Sequence, residues 1–261
     1  MPDIDSRLTS LIALREAGRH AEALPLLQQL FAEAGRTMNP PRSRYFIPML
    51  EWKFLAGAYA PAYAALQVER DAQIRLLLSG EHDFGRHDNS DPQGSGAFGR
   101  TSRFSLIADM NETLGDAHST ADLFARLDAS APELARQYAW QALPAVVEAG
   151  NFALADRYRR PVPLGHLDTV NALAASEPLF PAPGTAPRLA AELMNLVKDV
   201  RIAAAVLRGQ GQAAEAEALC AALLAGLAHD AMRALARREL DAPGSITAEI
   251  VKRQMDEEAQ A

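Results

Sequence analysis

The sequence predicts an all-α protein, an α-solenoid of antiparallel helical hairpins, and three observations carry that prediction. Ala makes up roughly a fifth of the 261 residues, with Leu and Arg next and few Val, Ile or Thr, a usage that favours helix over sheet. A Gly that ends one helical pattern is followed five positions later by a small residue in the next. Gly18 pairs with Ala23, Gly57 with Ala62, Gly150 with Ala155 and Gly211 with Ala216, while Gly115 is followed by Thr120 and Ala121. Gly supplies the left-handed conformation that closes a helix, and a small side chain lets the returning helix approach closely. Long apolar stripes also recur at helical period, clearest at Leu189, Leu193, Leu196, Val200, Ala204 and Leu207.

Taken in order, the patterns place helices near Ile4–Ala17 and Ala21–Ala34 around Gly18, then near Ser43–Ala56 and Ala60–Leu78 around Gly57. Gly80 to Arg100 holds five glycines among Asp, Asn, Ser and His and reads as a mobile loop. Helices resume near Ser102–Leu114 and Ser119–Leu127 around Gly115, and near Pro132–Ala149 and Phe152–Tyr158 around Gly150. Pro48 and Pro144 fall inside two of these patterns and are expected to kink them or move their starts. Six prolines between Pro161 and Pro187 mark a Pro-rich crossing with one short helix, about Leu164 to Ala175. Pro187 opens the long stripe described above. After Gly211, Ala216, Leu219, Leu223, Leu227, Met232 and Leu235 form a wider stripe, bent at Gly226, and Ser245 caps a last helix, Ile246 to Glu258. One helical-repeat domain over residues 1–261, interrupted at about 80–101 and 161–187, is the organisation expected.

Composition narrows the function classes. The chain is 49% hydrophobic, 23% charged and carries a net charge of -7, too apolar and too weakly charged for a disordered chain. Every window of membrane-spanning length contains charges, and the first residues lack the basic-then-apolar pattern of a secretion signal. The single cysteine, Cys220, lies in the apolar run Ala218–Leu224 as a small core residue. A cytoplasmic protein without a membrane span is expected. The mildly acidic pI works against nucleic-acid binding, and Arg36, Arg42, Arg44 and Lys53 form the one basic cluster, read as a solvated face or an anion site.

The stretch Leu14-Arg15-Glu16-Ala17-Gly18-Arg19-His20-Ala21-Glu22-Ala23-Leu24-Pro25-Leu26-Leu27 resembles the tetratricopeptide repeat superfamily, whose helical pairs turn at a Gly and carry a small Ala five positions later. The segment Tyr45 to Asp71 likewise looks like one found in uncharacterised bacterial proteins of that repeat-like type. The turn glycines stand 39, 58, 35 and 61 residues apart, against about 34 for such repeats, and the two long gaps contain the two irregular segments. The resemblance implies a stack of hairpins.

For chemistry, His82, Asp83, His87, Asp88 and Asp91 supply ligand types that a zinc-like ion requires, at a spacing that matches no helical ligand pattern. A metal-dependent enzyme built on this loop is the alternative from another class. No P-loop, dinucleotide fingerprint, nucleophile elbow or His-Glu-x-x-His occurs, and Cys220 lacks the electropositive surroundings of a nucleophile. Neither cofactor nor metal is assigned. The aromatic series Tyr45, Trp52, Tyr59 and Tyr63 either fills the core between hairpins or presents a ring to a peptide. Stacked hairpins leave a curved surface suited to a polypeptide. A non-catalytic module that binds a protein or peptide is therefore expected, with Arg42, Arg44, Tyr45, Trp52 and His87 as candidate contacts. A homodimer formed through the long stripes after Pro187 is a third reading.

Overall fold

The computed structural model describes residues 6–38, 40, 43–86, 101–182 and 184–258, and 13 helices account for 78% of these residues. The chain divides into two compact units, residues 1–142 and 143–261. The first contains α1 (Ser6–Glu16), α2 (His20–Arg36), α3 (Ser43–Ala58), α4 (Ala60–Leu78), α5 (Arg103–Leu114), α6 (Ala117–Ser130) and the first part of α7 (Pro132–Glu148). The second contains α8 (Phe152–Tyr158), α9 (Leu167–Ala174), α10 (Arg188–Gly209), α11 (Ala213–Gly226), α12 (Asp230–Asp241) and α13 (Ser245–Glu258).

In the first unit each helix from α1 to α5 packs on its successor, and α3 also touches α1 and α5. The small residues after the turn glycines do what close approach requires: Ala23, Ala62, Ala155 and Ala216 are all fully buried, and Thr120 and Ala121 nearly so. Gly18, Gly115, Gly150 and Gly211 take φ between 66° and 81°, the left-handed closure expected of them. Gly57 departs from the expectation. It lies inside the last turn of α3 without a left-handed φ, and the chain breaks two residues later at Tyr59, extended at φ -143°. Pro48 and Pro144 are accommodated inside α3 and α7.

The turns are reinforced by side chains. Ser102, Asp116 and Asn151 each accept a backbone N–H at a helix start. Arg70 on α4 donates to Asn111 and to Asp116 at 3.0 and 2.8 Å, and Asn111, fully buried, donates to Thr120 at 2.9 Å. Ser119 first, then Arg70, holds the Asp116 carboxyl below its ordinary range.

Part of the expected loop is ordered as a two-stranded antiparallel ribbon, β1 (Asp83–Phe84) with β2 (Thr101–Ser102). Phe84 enters the core against Phe31. Arg103 is 4% exposed and donates to the carbonyls of Glu81 and Asp83, at 2.7 and 2.8 Å, and to Gln73. These bonds close the ends of the ribbon and offset the desolvation of a buried cation.

In the second unit α10 is the central element, touching α8, α9, α11 and α12. Its stripe at Leu189, Leu193, Leu196 and Val200 is buried against Val170, Leu223, Met232, Leu235 and Ile246, so the surface proposed for dimerisation after Pro187 is interior. The bend expected at Gly226 is a complete break between α11 and α12. A Cβ at Gly226 would stand 2.5 Å from Leu167, while the Asn171 side chain donates to the Gly226 carbonyl and accepts from the Ala228 N–H. At α13 the expected cap, Ser245, is replaced by Glu239 of α12, whose carboxylate accepts the N–H groups of Gly244 and Ile246 at 2.8 and 2.9 Å. Cys220 is half-buried beside this core.

Candidate functional site

The outward side of α3 is the most unusual surface of the first unit. Successive helical residues are rotated by about 100°, so Phe46, Leu50 and Phe54 lie on one face with Lys53 and Gly57. The three apolar side chains are 53%, 39% and 49% exposed. The other sides of α3 face α1, α2, α4 and α5, with Met49, Trp52, Leu55 and Ala56 in the core. A soluble helix ordinarily turns its charged residues outward. Here Glu51 is the buried residue at 4% exposure, and the exposed face carries two phenylalanines and a leucine.

The charges at the edge are matched locally. Arg15 on α1 donates to Glu51 at 2.6 Å, which raises the proton affinity of the guanidinium further. The same guanidinium lies 5.0 Å from the centre of the Phe54 ring, fixing that ring by a cation–π contact. Lys53 stands 3.8 Å from Glu112 of α5. A Cβ built on Gly57 meets nothing within 4 Å, so the face remains open at its C-terminal end.

The residues singled out from sequence fall elsewhere. Trp52 is 1% exposed, its indole N–H donates to the Ala62 carbonyl at 3.2 Å, and its ring meets Phe31 edge-on; it is a core residue, and no face of it is left for a ligand. Tyr45 is half-buried against Phe84. Tyr59 packs near His20, 5.9 Å between ring centres, and Tyr63 donates to the last carbonyl of α5, Leu114, at 2.9 Å. Arg44 is exposed on α3, but six residues from Leu50 places it about 120° around the helix from the apolar face. Arg42 and His87 lie outside the described residues. Tyr45 and Trp52 share the side of α3 roughly opposite the exposed face, since a spacing of seven marks a helix side without saying which side is covered.

Of the histidine and aspartate cluster, only His82 and Asp83 are described, and their carbonyls serve Arg103. Among the described residues no group of three or more His, Cys, Asp or Glu side chains is placed to hold an ion, and no helix is long and apolar enough to cross a membrane.

The second unit has an ionic cluster of its own. Asp199 of α10 is 7% exposed and pairs with Arg160 at 2.9 Å; burial raises its carboxyl, and Arg160 opposes that. Burial pushes the neighbouring Lys198 ammonium down to about 8, with Arg201 adding to the effect. Arg201 is lowered by burial too, and Glu239 works in the other direction. Each ion belongs to the packing of α10. No family model, curated protein or solved structure matches the chain.

Proposed function

We propose that this chain is a non-catalytic helical-repeat module, a solenoid of hairpins of the tetratricopeptide-like kind, which binds protein through the outward face of α3. One observation carries the reading: Phe46, Leu50 and Phe54, three large apolar side chains at successive helical turns, face solvent on a helix whose other sides are packed. Single exposed apolar residues are ordinary, whereas a contiguous apolar row marks an interaction site. Aromatic anchors at one-turn spacing suit an apolar helix face from a partner. The single cysteine, half-buried, is compatible with the reducing cytoplasm.

Placing a photo-cross-linking amino acid at position 50 in living cells tests the reading. Protein adducts should form there in a defined band, and none should form from position 68 on α4, where Val68 is exposed without large exposed apolar neighbours three or four residues away. Absence of adducts at position 50 would contradict it.

A further inference from the structure

The composition of the α3 face says more about its occupant. The row Phe46-x-x-x-Leu50-x-x-x-Phe54 reads the same in both directions about Leu50. If two α3 helices cross in opposite directions on a two-fold axis at Leu50, each Phe46 meets the other copy's Phe54, and the two Leu50 side chains meet each other. That is the pairing an isologous contact requires, since one patch must be its own complement.

Charge points the same way. A face selecting an acidic or basic partner carries uncompensated charge at its edge. Here Arg15 is neutralised by Glu51 at 2.6 Å and Lys53 is matched by Glu112 at 3.8 Å, all within one chain. A balanced edge repels no second copy and steers no oppositely charged stranger.

Gly57 supplies the third observation. A glycine inside a helix costs about 1 kcal/mol relative to Ala, and nothing among the described residues uses its conformational freedom or its lack of a side chain: its φ is not left-handed and a Cβ would meet open space. In the crossed arrangement Gly57 faces the start of the other copy's α3, where a missing side chain lets two backbones approach.

Resting on the reading of α3 as a binding face, we infer that its occupant is a second copy of this chain, docked α3 on α3 about an axis at Leu50. The row from Phe46 to Gly57 is about 17 Å long at 1.5 Å per residue, short of what a standard interface of about 800 Å² per partner takes up. The dimer is therefore reversible and depends on concentration.

Sedimentation velocity of the full chain from about 1 to about 300 µM, a span chosen for weak association, should show a monomer passing to a dimer. Leu50→Asp should abolish the shift with helical content unchanged. Gly57→Leu should raise the dissociation constant about tenfold or more, by filling the space between helices. With Cys220→Ser as background, Leu50→Cys should form a disulfide-linked dimer on mild oxidation and Val68→Cys should not. A chain that stays monomeric throughout, a dimer that survives Leu50→Asp, or a Leu50→Cys variant that cross-links no better than Val68→Cys would overturn the inference. Cross-links from position 50 to a different protein, in a chain that is monomeric alone, would overturn it while leaving α3 as a binding face.

Discussion

Helices α3 and α10 invert each other's chemistry. α10 is touched by four helices and holds Asp199 at 7% exposure and a largely buried Lys198 within its packing, whereas α3 keeps Glu51 inside and turns Phe46, Leu50 and Phe54 to solvent. In α10 the apolar stripe faces its own unit and the buried ions are drawn in with it; in α3 part of the apolar surface is left over. The difference teaches that an apolar stripe at helical period is drawn wholly inward on one helix and only partly on the other, according to which neighbours cover it. Burial of apolar area stabilises at about 25 cal/mol per Å², and the exposed side of α3 does not gain it within the first unit.

The sharpest way to break this contrast is one substitution made in both helices. Leu196→Ala in α10, at a fully buried position, should cost about 2–5 kcal/mol, read as a lower urea midpoint. Leu50→Ala in α3 should change the stability of the dilute chain by less than about 0.5 kcal/mol. Equal losses would show that the α3 face is covered within its own chain.

A smaller effect is expected at Lys198. Its folded pKa, about 8, lies below the ordinary 10.5, so the folded state binds fewer protons than the unfolded one between those values. Stability then rises with pH across that window, and below about pH 8 the cost of the buried ammonium is fully present. Lys198→Met should stabilise at pH 7 by on the order of 2 kcal/mol, allowing for partial hydration of the ammonium. The advantage over the parent should shrink as pH rises from about 8 to about 10.5 in thermal melts. A pH-independent difference would mean that the ammonium is solvated.

The smallest pair concerns two glycines. Gly115→Ala, at φ 66°, should destabilise by about 1 kcal/mol, whereas Gly57→Ala, in helical conformation with open space above it, should stabilise the dilute chain by about 0.5–1 kcal/mol. Loss of stability at Gly57 would assign it a turn role after all.

Much of the fold was legible because it is local. Ala60–Leu78 and Phe152–Tyr158 have the ends that periodicity and flanking residues indicated, and four of the five glycines close helices as the left-handed cap requires. The break at Gly226 was not legible as a break. It is held by Asn171, 55 residues away along the chain, and by the approach of Leu167, neither of which periodicity encodes. The ribbon β1–β2 is likewise maintained by the distant Gln73 through Arg103. The exposed apolar face of α3 was not legible for a related reason. Periodicity shows that α3 has apolar residues on several sides, Trp52 and Tyr45 as well as Phe46, Leu50 and Phe54, and only the packing of α1, α2, α4 and α5 decides which remain outside.

Hydroxyl-radical footprinting of the full chain, diluted and concentrated, addresses that face directly. Phe46 and Phe54 should be oxidised readily in the dilute chain and be protected on concentration, while Val68 stays reactive at both. Phenylalanines that are already protected when dilute, or equally reactive at every concentration, would contradict an α3 face that a second copy covers.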